Sequence, residues 1–314
     1  MARGLDGTFF DFHHHNTAEG KYFNPALDSF TESDWRQKVR EIAELKMEYI
    51  IIMATALFDR CYFDSEVFPR ADIPCADPIE AVLDEADKLN INVFLGNGFY
   101  GDWTKPSVNI TSEEVLDRTF RAMDELARKY SHHKSFYGWY FPDEVCIILR
   151  FSKKFINYVN LCTKRCREIT PGKKTLIAPY GTNLTLTNSY YVDALVSLDV
   201  DFIAYQDEIG VQKTRVWQSE RIFARLKKAH DKAGRAALWA DIELFKFEGM
   251  VYKSALLPAD FSRIQRQIEN VSPYVDKIVG YQYTGLMNPK NSPSFAGHES
   301  SAKFYEEYSE YLKK

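Results

Sequence analysis

Apolar positions along the chain follow two rhythms that alternate eight times. Compact runs rich in β-branched and aromatic residues occupy 8–12, 49–56, 91–99, 136–144, 175–180, 201–207, 236–243 and 277–284. Their length and composition predict strands. Between them lie segments with apolar residues at helical spacing. The first opens at Ser33 and Asp34 and carries Val39, Ile42, Ala43 and Leu45, and the others cover 78–89, 113–130, 152–168, 188–197, 216–233, 260–272 and 300–313. Eight strands, each followed by a helix, predict a (β/α)8 TIM barrel, with residues 1–314 forming one domain.

Loop lengths favour the barrel over an open doubly wound sheet. The connections entering strands are short, as at 131–135 and 170–174, whereas those leaving the first, second, third and eighth strands are long and rich in Tyr, Trp, Asn and Asp. One rim is decorated and the other plain, and in barrels chemistry sits at the C-terminal strand ends. An open sheet would more often place a glycine-rich phosphate turn after the first strand, where this chain has His13, His14 and His15.

Composition narrows the partners. A net charge of -4, with Lys and Arg scattered, offers no basic stripe for nucleic acid, and no apolar run is long enough to span a membrane. The five cysteines have no disulfide-like or zinc-like spacing, so no metal and no cofactor is expected. Free thiols point to the cytoplasm, although the first strand begins so near residue 1 that an exported chain with its leader removed reads the same way. Oligomeric state is left open.

Candidate chemistry gathers at the strand ends. These supply Asp11 and His13 from the first strand, Asn97 from the third, Asp143 and Glu144 from the fourth, and Tyr180 from the fifth. Tyr205, Asp207 and Glu208 end the sixth, Asp241 and Glu243 the seventh, and Gln282 and Tyr283 the eighth. Period-two alternation puts Trp239, Asp241 and Glu243 on one face. Burying those carboxylates against the helix layer would be costly, so that face should point into the barrel mouth, with Glu243 across from Glu144. Two carboxyls facing each other over a cleft suit glycosidic bond cleavage.

That arrangement resembles the large clan of retaining glycoside hydrolases, in which the ends of strands four and seven carry the acid/base and the nucleophile. More specifically, the strings Gly-Thr-Phe-Phe-Asp-Phe, Phe-Tyr-Gly-Trp-Tyr-Phe-Pro-Asp-Glu, Ala-Pro-Tyr-Gly, Tyr-Gln-Asp-Glu-Ile-Gly and Trp-Ala-Asp-Ile-Glu are similar to a bacterial family catalogued as domain of unknown function 4434. The resemblance implies a glycosidase acting on carbohydrate, with Glu144 as acid/base and Glu243 as nucleophile. It also implies that Tyr205 stands near the nucleophile and that Tyr281 or Tyr283 serves as the aromatic platform. Asp143 departs from the clan, whose members usually have a donating asparagine there, so glycon recognition must differ.

Several further expectations follow. His13 is expected to meet sugar hydroxyls, with His14 turned away in a structural role, while Tyr100, Trp103, Tyr140, Tyr180, Trp239 and Tyr283 are candidates for stacking on sugar. Trp139, Phe141 and Pro142 should give Glu144 an apolar approach that raises its pKa. Asp207, Glu208 or Asp241 is an alternative partner for Glu144. The rival readings are a carbohydrate-binding barrel that does not cleave and a metal-dependent hydrolase using His13 and His15. The latter lacks the lysine, histidines and aspartate such a site needs at later strands.

Overall fold

The structure, a computed structural model, describes residues 3–314. Eight parallel strands close into a barrel in sequence order. They are β1 (Gly7–Phe10), β2 (Tyr49–Ile52), β3 (Asn92–Gly96), β4 (Phe136–Phe141), β5 (Lys174–Ile177), β6 (Phe202–Gln206), β7 (Ala237–Glu243) and β8 (Lys277–Tyr281). The last strand pairs with the first through Gly7 opposite Val279 and Thr8 opposite Gly280.

Eight main helices form the outer layer: α1 (Glu32–Glu44), α2 (Pro78–Leu89), α3 (Glu113–Tyr130), α4 (Lys153–Ile169), α5 (Ser189–Ser197), α6 (Val216–Ala233), α7 (Phe261–Val271) and α8 (Ser300–Tyr311). Their ends are encoded locally. The Asp34 carboxylate accepts the Thr31 N–H at 2.8 Å, so α1 opens ahead of the expected Ser33. Asp77 and Ser152 cap α2 and α4 by accepting from Glu80 and Phe155 N–H groups. Gly234 ends α6 at φ +60°, a conformation glycine adopts without strain.

An aromatic layer fills one end of the barrel. Tyr49, Phe94, Tyr137, Phe202 and Trp239 pack together, with Phe202 stacked on Trp239 at 4.6 Å between ring centres. Above it Phe9 touches Tyr140 and Tyr281 at 5.3 and 5.6 Å.

Strand β4 contains an irregularity that the sequence pattern does not announce. Phe136 pairs with Val93 but Gly138 pairs with Phe94, so one extra residue is accommodated at Tyr137. A Cβ on Gly138 would lie 2.4 Å from the Lys174 carbonyl oxygen, which explains glycine at this close approach. Alternation is thereby shifted: Tyr137 and Tyr140 face inward, while Trp139 and Phe141 face α4, where the Trp139 indole donates to Thr170 and Phe141 meets Tyr158. The expected approach to Glu144 through Trp139 and Phe141 is therefore corrected; Tyr140 takes that place.

The long loops carry small elements of their own, including hairpins pairing Ala56–Leu57 with Arg60–Cys61 and Phe245–Phe247 with Leu256–Pro258. Among the described residues no helix is long and apolar enough to cross a membrane, and all five cysteines are free.

Candidate active site

The mouth holds a cavity of about 320 Å³. Glu144 enters it from β4, Gln206 and Glu208 from β6, Asp241 and Glu243 from β7, and Tyr281 from β8. Tyr180 and the loop residues His14, His15, Lys213, Phe245 and Tyr252 complete most of the wall. The long loop after β7 thus contributes strongly, whereas the loops after β3 and β8, expected to shape the mouth, do not line it.

Both Glu144 carboxylate oxygens accept hydrogen bonds, one from the Tyr140 hydroxyl and one from the Gln206 amide at 2.5 Å. Gln206 is itself oriented by donating to the Ala178 carbonyl at 2.9 Å. Burial at the cavity floor outweighs these donors and pushes Glu144 up to about 7, with the nearby Asp143 charge adding to the rise.

Glu243 is almost fully buried, and its Oε2 accepts the Val211 backbone N–H at 2.7 Å. Burial raises its pKa well above its ordinary value, and Asp207 and Glu208 push the same way against Val211 N–H and the Arg263 guanidinium. Asp241, between the two glutamates on the inner face, has no hydrogen-bond partner on its buried Oδ1, and burial with the Glu144, Glu243 and Asp207 charges drives it upward too. Among the lining side chains Lys213 carries the permanent positive charge. Its Nζ lies 3.6 Å from Glu208 and over the Tyr180 ring. Glu208 sits at φ +54°, a strained conformation for a non-glycine residue, and accepts the Thr182 N–H at 2.9 Å.

Of the residues singled out in the sequence, Glu144, Tyr180, Glu208, Asp241, Glu243 and Tyr281 meet in this cavity, together with His14 and His15. The others do not reach its wall. Asp11 lies behind Tyr281, whose hydroxyl donates to it at 3.3 Å, and burial holds Asp11 up at about 7. Asp207 is behind Glu243, accepting the Glu243 N–H and, at 2.5 Å, the Gln267 amide. Asp143 turns away toward Asn109, which donates to it at 2.8 Å. Asn97 donates to the Met123 sulfur, and Tyr100 is buried against Phe68 and Thr55. Trp103 contacts the His15 ring but not the cavity, and Trp239 belongs to the aromatic plug.

Three further placements correct the expectations. Tyr205 points outward, its hydroxyl between Tyr191 at 2.9 Å and His230 at 3.0 Å, because β6 presents Phe202 and Gln206 to the interior. Tyr283 is bonded to Glu41 of α1, so Tyr281 is the tyrosine at the mouth. His13 pairs with Asp28 at 2.8 Å outside the cavity, while His14 and His15, with rings stacked at 4.5 Å, line it. The chain leaves β1 at Phe10, so strand alternation no longer governs the histidines. His13 and His15 consequently do not converge as a metal pair.

Sequence reading missed Gln206, Lys213, Phe245 and Tyr252. Gln206 stands on β6, where both faces are covered and alternation does not mark the inward one, and the other three stand in long loops whose course no periodicity encodes.

Fold and site together define a (β/α)8 barrel with a carboxylate-rich mouth. Residues 5–297 match the model of the family described as Domain of unknown function (DUF4434), and the chain belongs to that family. No curated protein matches it. A candidate alpha-L-fucosidase of Bacteroides thetaiotaomicron superposes with a TM-score of 0.78 at 20% identity, covering 98% of this chain and 93% of that one. An endo-1,4-beta-mannanase of Rhizomucor miehei gives 0.61 at 11% identity over 99% and 95% of the two chains. A beta-galactosidase of Marinomonas ef1 gives 0.62 at 11% identity, covering 98% of this chain and 59% of that one. These likenesses establish the shared barrel fold.

Proposed function

We propose that the protein is a glycosidase that cleaves a carbohydrate substrate with Glu144 and Glu243, retaining the anomeric configuration. The observation carrying this reading is that the two glutamates, from the ends of β4 and β7, enter one cavity whose walls include Tyr180, Phe245, Tyr252 and Tyr281. Aromatic faces suit the apolar faces of sugar rings, and carboxyls suit hydroxyls and a developing oxocarbenium charge. The barrel fold shared with glycosidases agrees with it.

In this reading protonated Glu144 delivers its proton to the glycosidic oxygen while the Glu243 carboxylate attacks the anomeric carbon. Glu144, now ionised, then takes a proton from water as that water cleaves the glycosyl ester and frees Glu243. A pKa of about 7 allows Glu144 both duties near neutrality. Burial and Asp207 favour the protonated form of Glu243, so the reactive form is the one in which Glu243 has lost its proton and Glu144 has kept it.

One observation favours a second assignment. Glu144 receives two side-chain donors and Glu243 a single backbone donor, an asymmetry that suits an ionised Glu144 and a protonated Glu243 with exchanged roles. Glutamine variants decide between them on a panel of aryl glycosides, beginning with the fucosides, mannosides and galactosides named for the structural neighbours. Glu144→Gln should lose roughly 10²–10⁴-fold on poor leaving groups but little on 2,4-dinitrophenyl glycosides, which need no protonation. Glu243→Gln should lose heavily on both. The reverse pattern exchanges the roles, and sugar binding without turnover by the wild type returns the barrel to a binding module. The anomer released first, read by proton NMR, tests retention.

A further inference from the structure

Outside the barrel, between α2 and the loop entering β4, a buried imidazole is poised in an unusual way. His133, with only 4% of its side chain exposed, places Nδ1 2.7 Å from the Asp87 carboxylate, whose other oxygen accepts the Ser135 N–H at 2.6 Å. With Nδ1 donating to Asp87, Nε2 carries a lone pair. That atom is buried without a hydrogen-bond partner and points at Glu80, 3.3 Å from its Oε2. Two acceptors at that separation repel unless a proton or a metal ion stands between them. The adjacent exposed His132 brings a third donor, and the ligand atoms of Glu80, His132 and His133 all lie within 4.8 Å of one another.

We propose that Glu80, His132 and His133 form a binding site for a first-row divalent cation of the zinc type. Two imidazoles and a carboxylate are the donors such ions accept. Bonds of about 2.0–2.1 Å in tetrahedral geometry bring donor atoms to roughly 3.3 Å from each other, the separation already present between His133 and Glu80. Only the exposed His132 ring must move. Asp87 supplies the carboxylate that orients a metal-binding histidine through its second nitrogen. A proton on His133 Nε2 would also relieve the repulsion; the convergence of His132 on the same point favours the metal ion. The site joins the loop before β4 to α2, away from the mouth, so the ion would brace the barrel and take no part in the chemistry there.

The test is titration of chelator-treated, full-length protein with Zn²⁺ by calorimetry, with Co²⁺ absorption as a probe of coordination. One ion per chain is expected, with Tm rising by about 4 °C at a zinc concentration 100 times Kd. His132→Ala and Glu80→Gln, both at accessible positions, should each weaken binding tenfold or more, and Asp87→Asn by 10–100-fold. Circular dichroism confirms that each variant is folded. Lack of saturable binding up to about millimolar zinc, well above the Kd range of structural zinc sites, would overturn the proposal. So would equal affinity in His132→Ala and Glu80→Gln, or a Tm that responds to pH and not to zinc.

Discussion

Replacing Tyr140 by Phe should raise the pKa of Glu144. Tyr140 is fully buried, faces the interior because of the β4 bulge, and donates its hydroxyl to Glu144 Oε1. Burial holds the Tyr140 phenol well above its ordinary value, with the Glu144 charge adding to the rise, so it remains a donor whenever Glu144 is ionised. A hydrogen bond to a charged group contributes about 1.5–3 kcal/mol, and one pKa unit corresponds to about 1.4 kcal/mol. Losing this donor while Gln206 stays should therefore move Glu144 from about 7 to roughly 8–9. Carbon-13 NMR of glutamate side-chain carboxyls, with Glu144→Gln identifying the resonance, measures the shift without needing a substrate. Where turnover is available, the basic limb of kcat/KM should move upward by the same amount if Glu144 is the acid. A Glu144 pKa that stays put or falls in a folded Tyr140→Phe protein would refute the view that this donor stabilises the ionised carboxylate.

Stability should fall as pH rises because buried acids keep their protons in the folded state. For Asp11 the folded value is about 7 against an ordinary 3.8, so folding is favoured most below 3.8 and loses about 4 kcal/mol, as an upper bound, by pH 7. Asp11→Asn should therefore gain on the wild type between pH 4 and pH 8 in urea unfolding, and parallel curves would disprove it. Tyr205→Phe should cost about 1–2 kcal/mol by breaking the Tyr191–Tyr205–His230 chain yet leave turnover unchanged, since its hydroxyl faces the helices; a large drop in kcat would place it at the mouth after all.

The architecture was legible because it rests on local rules. Strand and helix periodicities, the caps at Asp77 and Ser152, and short connections before strands follow from neighbours in sequence, and together they restrict the chain to a closed barrel. The inward face of β7 was legible too, since Asp241 and Glu243 mark it with polar groups in an otherwise apolar strand. Faces elsewhere carried no such mark. Along β6 both sides are covered, so Tyr205 and Gln206 look alike until the barrel shows which one turns inward. In β4 one extra residue exchanged Trp139 for Tyr140, and beyond β1 the loop's path separated His13 from its neighbours. Sequence determined which chemistry arrives at the mouth. Only the tertiary structure decided which atoms face one another there, and how burial and surrounding charge set their protons, because those depend on contacts between strands far apart in the chain.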